Sequence, residues 1–277
     1  MHAAHGGHEG AMSLLLNHPR ADAVAMMAQR NERGATALLL AAFGGHEGAM
    51  SLLLNHPRAD AAAMLVQQNK SGATALMLAA HGGHEGAMTL LLNHPCADAA
   101  AMTVQHDKSG TTALMHAAHG GHEGAVSLLL NHPRADAAAM MVQQTERGVT
   151  TLMHAVHGGH EGAMSLLLNH PRAYAAAMMV QQNKSGMTAL MSAASNAGAL
   201  DLVTEMLSPL LDNDHPDDVR DECVRLLLEQ HGAATGFSLS SPVLSRSFRE
   251  LSQLARVPQL INDAVVSMAF EREQQQE

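Results

Sequence analysis

Gly72-Ala73-Thr74-Ala75-Leu76-Met77-Leu78-Ala79-Ala80-His81-Gly82-Gly83-His84-Glu85-Gly86-Ala87-Met88-Thr89-Leu90-Leu91-Leu92-Asn93-His94-Pro95 is one copy of a pattern that returns every 38 residues. Its opening glycine is matched by Gly34, Gly110, Gly148 and Gly186. The tetrad starting at His84 has counterparts starting at His8, His46, His122 and His160. The hexad starting at Leu90 has counterparts at Leu14, Leu52, Leu128 and Leu166. Five near-copies in one frame are the mark of an array in which each unit packs against its neighbours.

Within the unit, Leu76, Ala79 and Ala80 stand at i, i+3 and i+4, an apolar helical stripe. Gly82-Gly83 ends that helix and turns the chain. Glu85 opens a second helix, where a carboxylate suits the positive end of the helix dipole. Met88, Leu91 and Leu92 form its stripe, and Pro95 stops it, because the residue before a proline is pushed out of the helical region. Neither short helix can bury its stripe alone, so stacking of units must close the core.

These residues resemble the ankyrin repeat. Gly72 to Ala80 is similar to that family's Gly-x-Thr-Pro-Leu-His-x-Ala-Ala segment, and Gly83-His84 followed by Ala87 to Leu92 is similar to its Gly-His and leucine-rich second helix. The resemblance runs clearly over residues 1–207 and weakly to about 231. It implies an all-α solenoid whose first helices and fingers line a concave groove, and a turn histidine that holds its turn by hydrogen bonding. There are departures. The Thr-Pro is Thr-Ala or, at Thr150-Thr151, Thr-Thr, and the family's histidine is Leu39, Met77, Met115, Met153 or Met191. Losing that polar side chain predicts weaker hydrogen bonding between units. The period exceeds the family's usual 33 by five residues. The surplus falls in Ala97 to Gln105, rich in good helix formers, and predicts a short extra helical turn in place of an extended finger.

The expected organisation is a partial first repeat over 1–33, four full repeats over 34–185, and a sixth repeat with a degenerate C-terminal cap over 186–233. A linker, a helical segment and a frayed tail follow over 234–277. Met1 to Gly10 repeats Met115 to Gly124 residue for residue, so the first unit begins inside its first helix. That fits a longer natural array, a truncated start or a half-unit serving as a crude cap. Cys223 to Ala233 resembles the second half of a unit and makes a charged cap. Phe248, Leu251, Leu254 and Ala255, then Leu260, Ile261, Ala264, Val265 and Met268, form two helical stripes split by Pro258. They either pack back on the array or bind a partner. An ankyrin array followed by a short helical box also resembles the layout of some ubiquitin-ligase adaptors, although no box motif is recognisable.

Composition narrows function. The net charge is -10 and no Lys/Arg cluster stands out, which disfavours nucleic acid and anionic membranes. Apolar runs are broken well before the length of a membrane span. With no Trp and one tyrosine, Tyr174, the core must be built of Leu, Ala, Val and the 20 adaptable methionines. Two distant cysteines, Cys96 and Cys223, make no disulfide framework and point to a reducing, cytoplasmic setting. There is no Gly-rich phosphate loop with a lysine, no Gly-x-Ser-x-Gly and no His-Glu-x-x-His. No catalytic residue, cofactor or metal ligand is assigned, and the chain is read as a monomer that is not an enzyme.

The copies differ mainly where the resemblance puts the groove. One first-helix position reads Leu40, Leu78, His116, His154 and Ser192; three residues on, along the same face, it reads Phe43, His81, His119, His157 and Ser195. Lys70, Lys108, Arg147 and Lys184 occupy the finger ends. Such a surface, graded from apolar to imidazole-rich, suits an acidic or aromatic segment of a partner protein. The chain is therefore expected to be a protein-binding scaffold. One alternative is a histidine-based metal-binding protein, since His116, His119 and His122, like His154, His157 and His160, lie three apart. Against it, a Gly-Gly turn separates the second and third of each set, and the Asn-His-Pro histidines recur as structural caps do. Another alternative is a bacterial ankyrin effector or adaptor delivered into a host cytosol, because nearly identical Ala- and Met-rich units resemble bacterial arrays. Protonating all 20 histidines would move the net charge from -10 to +10, so a pH response is expected.

Overall fold

The computed structural model describes residues 1–170, 178–179 and 181–194. The expected cap beyond Ala194 and the segment 234–277 lie outside the described residues. The chain divides into two units, Met1–Arg147 and Gly148–Glu277.

In the first unit the helices form three rows. The first row is α1 (His2–His5), α4 (Ala37–Phe43), α7 (Ala75–His81) and α10 (Ala113–His119). Behind it run α2 (Glu9–Leu16), α5 (Glu47–Leu54), α8 (Glu85–Asn93) and α11 (Glu123–Asn131). Each member packs on the next in its row, and each first helix packs on the second helix of its own repeat. The third row is α3 (Ala23–Ala28), α6 (Ala61–Leu65), α9 (Ala99–Val104) and α12 (Ala137–Met141). An isolated β bridge joins His106 and Thr112.

Each element follows from local chemistry. Thr74 and Thr112 cap the first helices, their hydroxyls accepting from the Met77 and Met115 amides at 3.4 and 3.3 Å. The stripes predicted from spacing are the core: Leu76, Ala79, Ala80, Ala87, Met88, Leu91 and Leu92 are all fully buried. The surplus residues do form a helix, of five or six residues, rather than an extended finger. Asp22, Asp60, Asp98 and Asp136 start it, each carboxylate accepting from the amide three residues on at 3.0–3.1 Å. Its inner residues, such as Ala99 and Met102, add a third buried row.

The position that carries histidine in the family is Leu39, Met77 and Met115 here, and all three are buried. The expected weakening between units is corrected by the structure, because other groups supply the bonds. Finger backbones are tied at 2.9 Å, Lys70 N–H to the Arg33 carbonyl, Lys108 to Ser71 and Glu146 to Ser109. Arg30 donates to the Gln68 carbonyl at 2.7 Å, and Arg134 donates to the Ala97 carbonyl at 3.3 Å and to that of Leu92.

In the second unit α13 (Thr151–Gly158) packs on α14 (Glu161–Leu168) and on α15 (Ala189–Ala194). Thr150 caps α13 through the Met153 amide at 3.2 Å, and Leu152, Met153, Val156, Met164 and Leu167 are buried.

Candidate functional site

Two kinds of side chain face outward along the repeats, and their elements hold them differently. The first is on the first helices. A helix that buries positions 76, 77, 79 and 80 must turn 78 and 81 away from the core. Leu40, Leu78 and His116 are accordingly half-buried, while Phe43, at 47 % exposure, His81 and His119 stand out in solvent. Ring contacts bridge neighbouring repeats. His5 stacks on Phe43 with centroids 6.5 Å apart, and His81 meets His116 edge-on at 5.6 Å. In the second unit His154 and Ser192 are half-buried and His157 is exposed; Ser195 lies outside the described residues.

The second kind is on the fingers. The fingers opened by Asn or Asp are tight loops closed by that side chain. Asn69 Oδ1 accepts from the Ser71 and Ala73 amides, both at 2.9 Å, and Asn31 and Asn183 do the same in their loops. That closure sets the next residue at the tip. Lys70, Lys108 and, in the second unit, Lys184 are exposed, as is Arg147.

In the third finger the loop-closing residue is Asp107. It accepts from the Ser109 amide at 2.8 Å, the Thr111 amide at 2.9 Å and the Ser109 hydroxyl at 2.6 Å, and its other oxygen lies 3.6 Å from His116 Nε2. Burial pushes its carboxyl up, but Ser109, Thr111 and His116 together hold it below the ordinary 3.8. Burial pushes the His116 imidazole below the ordinary 6.5; Asp107 offsets part of this, while His81 and His119 add to it. The sequence reading missed Asp107 as the partner of His116. The signal was there: Asn or Asp opens the finger three residues before the invariant glycine in every repeat but the fourth, where Thr145 stands.

Two further sets of histidines make recurring structural bonds. The resemblance implied that the Gly-His side chain holds the turn by hydrogen bonding, and the bond it makes runs to the preceding repeat. His46, His84 and His122 reach back through Nε2 to the carbonyls of His5, Phe43 and His81 in the preceding repeat, at 2.9, 3.1 and 3.0 Å. Each ring also fills the space a β-carbon would need at its own Gly-Gly corner and at the preceding one. The Asn-His-Pro histidines close the turn that follows the second helix. Nδ1 of His18, His56, His94 and His132 accepts from the amide two residues on at 3.2–3.3 Å. Among the described residues no three His, Cys, Asp or Glu side chains converge to hold a metal ion, and no helix is long and apolar enough to cross a membrane. His122 stands beyond the corner with its Nε2 engaged on the His81 carbonyl, so it does not join His116 and His119 as a third ligand.

No curated protein matches this chain. A family model described as ankyrin repeats (3 copies) matches residues 61–141 and 136–217, more than half of the chain. The paired helices and the capped first helix agree with that match, and the chain belongs to the ankyrin repeat family.

Proposed function

We propose that this chain binds a partner protein on the surface formed by its first helices and finger tips. Arrays of this family serve generally as protein-interaction modules. The observation that supports the reading here is where the copies differ. The side chains that fill the core recur from unit to unit, whereas the outward positions run Leu40, Leu78, His116 and Phe43, His81, His119. Those side chains are at most partly used by the fold, so their variation changes what the surface recognises without disturbing what holds it up. Lys70, Lys108 and Arg147 form its rim in the first unit; Lys184, His154, His157 and Ser192 are the corresponding positions of the second unit, and Ser195 is their counterpart in the sequence. The role is binding rather than catalysis, in a reducing cytoplasmic setting.

The test is capture of partners from lysate by the full chain and by Phe43→Asp/His81→Asp/His119→Asp. All three positions are exposed, so the variant is expected to keep its circular dichroism spectrum and melting temperature and to lose the captured partner. Capture that survives in a folded variant moves binding off this surface.

A further inference from the structure

The charges of the first unit are segregated. Glu47, Glu85 and Glu123 open the second helices, and Asp60, Asp98 and Asp136 are spent as caps of the third helices. The first helices α4, α7 and α10 carry no carboxylate. At the fingers the two outer tips are mixed pairs, Glu32-Arg33 and Glu146-Arg147. The two central tips present exposed Lys70 and Lys108. The carboxylate beside Lys108, that of Asp107, is turned into its own loop and against His116, where three hydrogen bonds and the imidazole occupy it. The middle of the surface therefore offers two lysines above the imidazoles of His81, His116 and His119, in a chain whose net charge is -10.

The spacing restricts what fits. The Lys108 amide is bonded to the Ser71 carbonyl at 2.9 Å, so consecutive tips are locked one repeat apart. Packed helices stand roughly 8–10 Å from one another. A segment in the extended polyproline II conformation advances about 3.1 Å per residue and turns once in three residues, so every third side chain returns to the same face. Every third residue of an extended segment laid across the fingers thus comes level with the next lysine.

Resting on the groove reading above, we propose that the central repeats take an extended acidic segment of the partner, with carboxylates at every third position seated between the finger lysines and the first-helix imidazoles. The lysines supply charge and the imidazoles supply N–H donors. The half-buried Leu40 and Leu78, with Phe43, give the intervening side chains an apolar floor.

The experiment is fluorescence anisotropy of the full chain with three labelled peptides of about twelve residues. One has glutamate at every third position; one has the same composition with its glutamates contiguous; one has lysine in place of glutamate. The spaced acidic peptide is expected to bind best and to weaken as salt is raised. Lys70→Glu/Lys108→Glu is expected to weaken it about tenfold or more. Equal binding of the contiguous or lysine peptide, no binding of the spaced peptide, or indifference to the lysine variant overturns the proposal. Failure of the groove reading shows separately. If lysate capture still depends on Phe43, His81 and His119 while the acidic peptide fails, the groove stands and the acidic partner does not. If capture ignores those positions as well, both fall.

Discussion

The parts of each repeat that lock it to another repeat and the parts that face outward obey different rules. At the Gly-Gly-His-Glu corner every residue answers to two units at once. His84 reaches back to the Phe43 carbonyl, and the Glu47 carboxylate of one repeat lies where a β-carbon would sit at Gly86 of the next. A change there would need a matched change on both sides, and the corner sequence is the same in all five copies. A few residues away, positions 43, 81 and 119 face outward and are Phe, His and His. An array can therefore keep its seams fixed and vary its face, since stability is built from unit and neighbour terms while recognition depends on the residues outside both.

That contrast is sharpest inside one finger. Gly72 holds φ at +86°, and a β-carbon there would come 2.8 Å from the backbone nitrogen of Lys108 in the next finger. Left-handed backbone costs a side-chain-bearing residue about 1–2 kcal/mol, and a clash with backbone adds roughly as much. Gly72→Ala is expected to lower the unfolding free energy by about 3 kcal/mol in urea titration. Lys70→Ala, two residues away on the exposed tip, should stay within about 0.5 kcal/mol of the parent. Similar losses from both would erase the distinction between seam and face. At the corner, His84→Ala removes one hydrogen bond between repeats and the ring that fills two Gly-Gly corners. It should cost about 1–2 kcal/mol, and His46→Ala and His122→Ala should match it, because all three make the same bond. A cost at only one of the three would mean the seams are not equivalent.

The seams that lie along the chain were legible and those that cross it were not. Helix positions, the core stripe and the glycine turns follow from spacing, because they depend on residues three or four apart. The extra helical turn was anticipated at Ala97 to Gln105, and its Asp98 cap was equally readable as an aspartate before an Ala-rich run. The cross-repeat bonds escaped. The sequence marks His84 as part of a turn, but its partner is the carbonyl of Phe43, 41 residues earlier, and a carbonyl has no letter. The bond from Arg30 to Gln68 is hidden for the same reason. The face was visible as variation among copies; the pairing of His116 with Asp107 was not, because it joins a finger to a helix through a space only the fold defines.

The smallest effect lies at that pairing, where a face residue has been drawn partly into the fold. Leu40 and Leu78 hold the same position in earlier repeats, so His116→Leu restores a residue the site already accepts. Burial depresses the folded imidazole below 6.5 despite Asp107. The native state then binds fewer protons than the unfolded chain once pH drops past 6.5, so His116 contributes stability that is complete above that value and is lost as pH falls through the folded value. Urea midpoints followed downward from pH 7 are expected to fall less steeply in His116→Leu than in the parent. At still lower pH the order should partly reverse, since Asp107 loses one of the groups that keep its carboxyl below 3.8, and its own stabilising contribution, present above that range, is then lost at higher pH. Parallel curves would place His116 wholly on the face, with no share in holding the repeats together.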